Sequence, residues 1–320
     1  MIHIDRDPNP PVLDVFHKAT VPAGKGKKIS RAESELQKAI DFFTDLTNYK
    51  DDAKLGEKKF TFKVYKDPEL VKALEAIFHS KCAYCESRFA HVTPKDIEHF
   101  RPKSEIRTAN RMSIAPGYFW LAGSWTNLLI SCPDCNRERE HEVPGQPEKV
   151  LLGKHTQFPL RNEKARVRKH TGNIAKEETH RLLLDPCTDD PEQHLTYDER
   201  GLILARNGSE MGVTSIAVYA LQRKPLVEER LRVLNDIVFQ LEQLRIAVRE
   251  LARAIQQQRD PVEIQEKRQQ IKAIRDHLAS HMAKDAPYRG MIRDYIGRTK
   301  SNGDFDDLIK NGMDPATLLN

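Results

Sequence analysis

Long apolar runs are missing from this chain: none approaches the roughly 20 residues that a membrane-spanning helix needs. The opening Met1-Ile-His-Ile-Asp-Arg6 has no signal-peptide core. A surplus of one charge is missing too, because 52 cations stand against 47 anions, a formal net charge of +5. That balance permits nucleic-acid binding without demanding it, so charge alone selects no function. Cysteine is scarce, five in 320 residues, and four of the five fall in two CxxC pairs. Such pairs argue against a disulfide scaffold and fit a reducing compartment, which gives the expectation of a cytoplasmic protein. A phosphate loop is also absent: Gly24-Lys25-Gly26-Lys27-Lys28 lacks the Walker spacing and its terminal Ser or Thr, and reads as a solvated loop.

What is present is organised by residues 82–139. This stretch opens with Cys82-Ala-Tyr-Cys85 and closes on Cys132-Pro-Asp-Cys135. Each knuckle aims two thiolates at one point, and two knuckles supply the four soft ligands of a tetrahedral structural zinc. The 46 residues between the pairs exceed the spacing of an ordinary zinc ribbon. The metal-closed loop therefore carries an insert.

Within the insert, Ile97-Glu98-His99-Phe100 places a carboxylate beside an imidazole, and Arg101-Pro102-Lys103-Ser104 follows as a turn with two cations. Neighbours in a strand face opposite ways, so both reach one site only where the strand ends or kinks, and Pro102 favours such a place. His99 could then take a proton from water while Glu98 holds a hard divalent cation against a phosphate. Ser124-Trp125-Thr126-Asn127 leads into the apolar run Leu128–Ile130, with the Asn127 amide placed to brace the loop carrying His99. Asn136 follows the second knuckle at the expected start of a helix, where its oxygen could complete the metal shell.

This order of residues resembles the HNH nuclease family. The resemblance implies a β-hairpin and one helix around a catalytic divalent metal, Mg²⁺ or Mn²⁺. It assigns His99 as general base, Glu98 and Asn136 as ligands of the catalytic cation, and Asn127 as the residue that orients the loop. Glu98 stands where many members carry Asp, and Arg139 where many carry Lys. Arg101, Lys103 and Arg139 are candidate phosphate contacts. Residues 96–104, 131–136, 183–195 and 220–227 further resemble the HNH subunit of Septu-type anti-phage systems, including those attached to retrons. That resemblance implies an ABC-type ATPase as partner and DNA or RNA as substrate. The alternative is a non-catalytic zinc-stapled nucleic-acid-binding or adaptor module, with Glu98 and His99 as surface residues.

The flanks follow from pattern. Ile2–Ile4 reads as a short strand, and the proline- and glycine-rich remainder of residues 1–30 as an irregular arm. Ser30 caps a helix with Leu36, Ile40 and Phe43 on one side, and Asp67-Pro68 opens another with Leu70, Val71, Leu74, Ile77 and Phe78. Arg161, Lys164, Arg166, Arg168 and Lys169 form a basic segment suited to a nucleic-acid backbone or simply to solvent. Leu182–Leu184 reads as a buried strand, Cys187 as an inert thiol, and residues 195–197 with 201–204 as a strand pair. Val227, Leu231, Leu234, Val238 and Leu241, widened by Leu244, Val248, Leu251 and Ile255, mark a long helix. A second begins at Asp260-Pro261, so the two form an antiparallel hairpin.

The fold expected is α+β, mostly α: a zinc-stapled ββα-metal core embedded in helices, with a long C-terminal helical hairpin. The segments are 1–80, an arm and helices on the core; 81–160, the nuclease core with its four-cysteine zinc site; 161–223, small strands and the basic segment; and 224–320, a helical region suited to partner docking.

Overall fold

The computed structural model describes residues 1–11, 13–22, 28–51 and 53–319. Of the basic loop read at Gly24–Lys28, residues 24–27 lie outside them, and Lys28 begins a strand rather than a loop. Strands β1 (Thr20–Pro22) and β2 (Lys28–Ser30) pair antiparallel, so the N-terminal arm is less irregular than expected. Ile2–Ile4 belongs to no ladder. It is held instead by the Ile4 N–H, which donates to Pro186 O at 2.8 Å.

Helix α1 (Arg31–Thr44) starts where the sequence places it, because Ser30 and Glu33 form a reciprocal capping box. Strands β3 (Tyr49–Asp51) and β4 (Lys54–Leu55) follow. Helix α2 (Pro68–Phe78) is capped by Asp67, buries Leu70, Leu74 and Phe78, and packs on the central strand pair described next.

That pair is β5 (Asp96–His99), and, after the short ladder β6 (Ile106–Arg107) with β7 (Ser113–Ile114), β8 (Leu128–Ser131). β5 and β8 run antiparallel with Glu98 opposite Leu129 and His99 opposite Leu128. All four β8 residues are buried, as expected of a strand covered on both faces. The chain then makes only a short helix, α3 (Pro133–Asn136). Asn136 ends this helix rather than starting one. The reason is a hairpin, β9 (Arg139–His141) with β10 (Val150–Leu152), which interrupts the path.

The hairpin is a detour. After it, the Lys154 N–H donates to Cys135 O at 2.9 Å and the His155 N–H to Asn136 O at 2.5 Å. Gly153 sits at φ +128°, and a Cβ there would lie 2.0 Å from Arg137 O. Glycine alone lets the two ends of the detour approach so closely.

Beyond it come α4 (Ala175–Glu178), the pair β11 (Leu195–Tyr197) and β12 (Ile203–Ala205), and α5 (Glu210–Val218). Leu182–Leu184 is buried but joins no strand, and its Leu184 N–H is met by Ser215 Oγ at 2.8 Å. Helices α6 (Lys224–Gln256) and α7 (Pro261–Ser280) form the antiparallel hairpin, with Lys267 against Glu250 near the turn. The buried stripe of α6 runs through Val233, Ile237, Leu241 and Leu244, while Val238 and Ile255, expected on it, are 41% and 49% exposed. Helices α8 (Arg289–Ser301) and α9 (Asp306–Lys310) close the chain against α6. Among the described residues, no helix is long and apolar enough to cross a membrane.

Candidate active site and metal centre

The four knuckle cysteines are buried, and their sulfurs lie within 4.8 Å of one another. A tetrahedral zinc with Zn–S bonds of about 2.3 Å separates its sulfurs by about 3.8 Å. Cys85 Sγ and Cys132 Sγ stand 3.8 Å apart. The first knuckle is docked on β8 by the Ala83 N–H, which donates to Ile130 O at 2.9 Å. Arg223, buried at the start of α6, donates to the sulfurs of Cys135, Cys85 and Cys132 at 3.5, 3.6 and 3.7 Å. A cation buried against neutral thiols would be costly, whereas one against a tetrathiolate is compensated. The donor set, spacing and counter-charge all fit a structural zinc. Cys187 lies apart from this cluster, half-buried, with burial pushing its thiol up to about 12.

Glu98 and His99 sit at the end of β5, 4% and 5% exposed. They are not surface residues. His99 Nε2 lies 3.0 Å from Ala122 O, which can only accept, so Nε2 carries the proton. Lys103 Nζ is 3.2 Å from Nδ1, which is therefore the lone-pair side. Burial, and then the charge of Lys103, hold the imidazole well below its ordinary value against the opposing pull of the Ala122 bond. Burial likewise draws Lys103 down to about 8, partly offset by Glu98. The Tyr65 ring meets His99 edge-on with centroids 4.6 Å apart, and Lys103 Nζ lies 4.7 Å from its centre.

Glu98 has a partner that sequence reasoning missed. Lys154, fully buried, brings Nζ within 2.5 Å of Glu98 Oε1 and donates to His99 O at 2.9 Å. The approach to Oε1 is an ion pair off the line of a hydrogen bond, and Oε1 accepts none among the described residues. Burial pushes both groups toward their neutral forms, and their mutual attraction opposes it.

Asn127 is buried and uses its whole amide on the loop after His99. Oδ1 accepts from the Arg101 N–H at 2.8 Å, and Nδ2 donates to Arg101 O and Leu121 O at 3.0 and 3.1 Å. Asn136 Nδ2 donates to Asp96 Oδ2 at 3.0 Å, on the strand that carries Glu98. That leaves Oδ1 of Asn136 as its oxygen donor. A carboxylate and an amide oxygen are hard donors of the kind magnesium or manganese takes, and here Glu98 Oε1 faces Lys154 Nζ.

Two candidate phosphate contacts are engaged elsewhere. Arg101 is buried and pairs with Glu177 and Glu178 on α4, with its guanidinium carbon 5.1 Å from the centre of the Phe158 ring. Arg139 is half-exposed on β9 and pairs with Asp134 at 3.0 Å. The hairpin carries Arg139 outward and hands the place beside Glu98 to Lys154. Lys103 remains at the centre. In the basic segment, Arg166 is buried on Tyr118 Oη, Phe158 O and Glu163, Arg161 pairs with Glu210, and Arg168 donates to Ala115 O. Lys164 and Lys169 are exposed. Most of that segment's charge holds the protein together.

The positions of Lys154 and Arg223 carried weak sequence signals. Each depends on a long-range contact, across the hairpin for one and from the head of α6 for the other.

No protein-family model matches the chain. It is 38% identical over 238 residues to the Septu protein PtuB of Bacillus mycoides, spanning 74% of this chain and 68% of that one. It is 28% identical over 193 residues to the Septu protein PtuA of the same organism, spanning 58% of this chain but 24% of that much longer relative.

Proposed function

Because the chain belongs to the Septu PtuB family, we propose that it is the nuclease component of an anti-phage defence system, a metal-dependent HNH endonuclease that hydrolyses nucleic-acid phosphodiesters. The observation carrying this reading is the buried His99, whose Nε2 is fixed as a donor to Ala122 O while Nδ1 is kept as a lone pair beside Lys103.

In this reading His99 Nδ1 accepts the proton of the attacking water, and the depressed basicity of the ring keeps it neutral and ready. Lys103 would then meet the phosphate. Asn127 holds the loop so that His99 does not drift, a positioning role rather than a chemical one. A divalent cation, Mg²⁺ or Mn²⁺, held by Glu98 and Asn136 would supply charge stabilisation at the phosphoryl oxygens. The zinc of the four cysteines would fix β8 and α3 and with them the floor of the centre. Residues 81–160 would form the nuclease core, and 224–320 the surface for an ABC-type ATPase. Exposed Val238, Phe239 and Ile246 on α6 suit such a contact. The similarity of a PtuA segment to this chain supports placing both in one kind of system.

One observation favours the adaptor reading: Glu98 is closed off by Lys154 and His99 by Tyr65. The two readings separate by assay. Wild type and His99→Ala, each shown folded and zinc-loaded, are incubated with plasmid DNA or total RNA and Mg²⁺ or Mn²⁺, alone and with a Septu ATPase. Cleavage that needs both the metal and His99 is expected, with a loss of at least about 100-fold in the variant. Intact substrates in every arm would favour the adaptor.

A further inference from the structure

A second group of metal-ligating side chains lies on the helical hairpin, in a different segment from the proposed centre. Asp236 projects from α6, His277 from the last turn of α7 and His281 from the residue that caps its C-terminus, four residues apart and so one turn from each other. The three donor atoms converge. Asp236 Oδ2 is 3.1 Å from His277 Nε2 and 2.9 Å from His281 Nε2, and the two Nε2 atoms are 3.4 Å apart.

We propose that Asp236, His277 and His281 bind a first-row divalent transition metal, zinc foremost, which clips the end of α7 to α6. Bonds of about 2.0–2.2 Å to nitrogen and oxygen imply donor-to-donor edges of about 3.0 Å in an octahedral shell and about 3.4 Å in a tetrahedral one. The three observed separations span that range. Two imidazoles and one carboxylate are a borderline donor set that prefers zinc, nickel or cobalt to magnesium or calcium. All three side chains are part-exposed, at 37% for Asp236, 46% for His277 and 19% for His281. An ion there keeps at least one position for water.

The surroundings favour a ligand over a simple ion pair. Arg232, one turn before Asp236, is turned away by a two-pronged pair with Glu229 at 3.0 and 2.7 Å. Among the described residues, the hydrogen-bond and ion-pair partners of Asp236 are the two imidazoles. Two rings facing one carboxylate oxygen, with nitrogen against nitrogen, is the arrangement a cation would impose. The site also flanks the apolar seam of the hairpin, with Leu278 and Met282 buried beside the two histidines. Helix α7 buries Ile271 and Leu278 against the core, and the clip falls beside that seam, at the end remote from the turn.

The test uses the full-length, untagged chain with its cysteine cluster zinc-loaded, and ZnCl₂ as the probe. Bound zinc is counted by equilibrium dialysis for wild type and for the Asp236→Ala/His277→Ala/His281→Ala variant, with circular dichroism confirming that both are folded. Wild type is expected to hold one more equivalent than the variant, and added zinc should slow hydrogen exchange in residues 261–280 of wild type alone. The single variant His281→Ala should lose the same equivalent. Equal stoichiometry in wild type and triple variant, or exchange in α7 that zinc leaves unchanged, would overturn the proposal.

Discussion

Replacing Lys154 with Met would strand a carboxylate that, among the described residues, has no hydrogen bond at Oε1 and no other ion-pair partner. Breaking a buried ion pair from one side is expected to cost about 3 kcal/mol. The urea midpoint of Lys154→Met should fall accordingly, and Glu98→Gln added to it should recover part of the loss by removing the unpaired charge. A second residue gives a pH signature. Burial raises the Glu178 carboxyl, but Arg101 and Arg181 outweigh it, and the group is held below its ordinary 4.5. A depressed acid contributes stability that is complete above pH 4.5 and lost as pH falls through the folded-state value. The melting temperature of Glu178→Gln should therefore lie below that of wild type at about pH 7, with the gap closing progressively in acid below pH 4.5.

Among the elements, the β9–β10 hairpin closes so tightly at its base that no side chain fits at Gly153. Gly153→Ala would drive a Cβ into Arg137 O at a left-handed φ, with an expected cost of about 2 kcal/mol or more. Thermal unfolding would measure it, and a melting temperature equal to that of wild type would contradict the close approach. This hairpin also shows where sequence reading runs out. Caps and stripes are local, so Ser30 with Glu33 and Asp67 with Pro68 announced α1 and α2 from neighbouring residues alone. The cysteine pairs and the Glu98-His99 dipeptide were legible for the same reason. The hairpin, by contrast, is a detour whose ends meet again nineteen residues apart, Cys135 with Lys154 and Asn136 with His155, so counting positions along the chain led to Arg139 while the geometry led to Lys154. Likewise nothing near Arg101 in sequence announces Glu177 and Glu178, which bury it.

At the scale of the whole molecule, all four knuckle cysteines belong to one hydrophobic core that extends from Met1 to Leu308. Release of the zinc should therefore be felt far from the knuckles. Cys82→Ser is expected to lose the zinc and, with it, cooperative unfolding; metal content and a calorimetric scan check both, and an unchanged metal content would rule out the staple. The side branch between Arg137 and Gly153 has the opposite character. Its tip, Pro144–Lys149, is exposed, its base is pinched shut, and the path of the core resumes as though nothing had intervened. In engineering terms it is an insertion port: a reporter or affinity handle spliced in at Gly145 would ride outside the molecule, near the head of α6 where Lys224 N–H reaches Glu142 O, without lengthening any connection inside it.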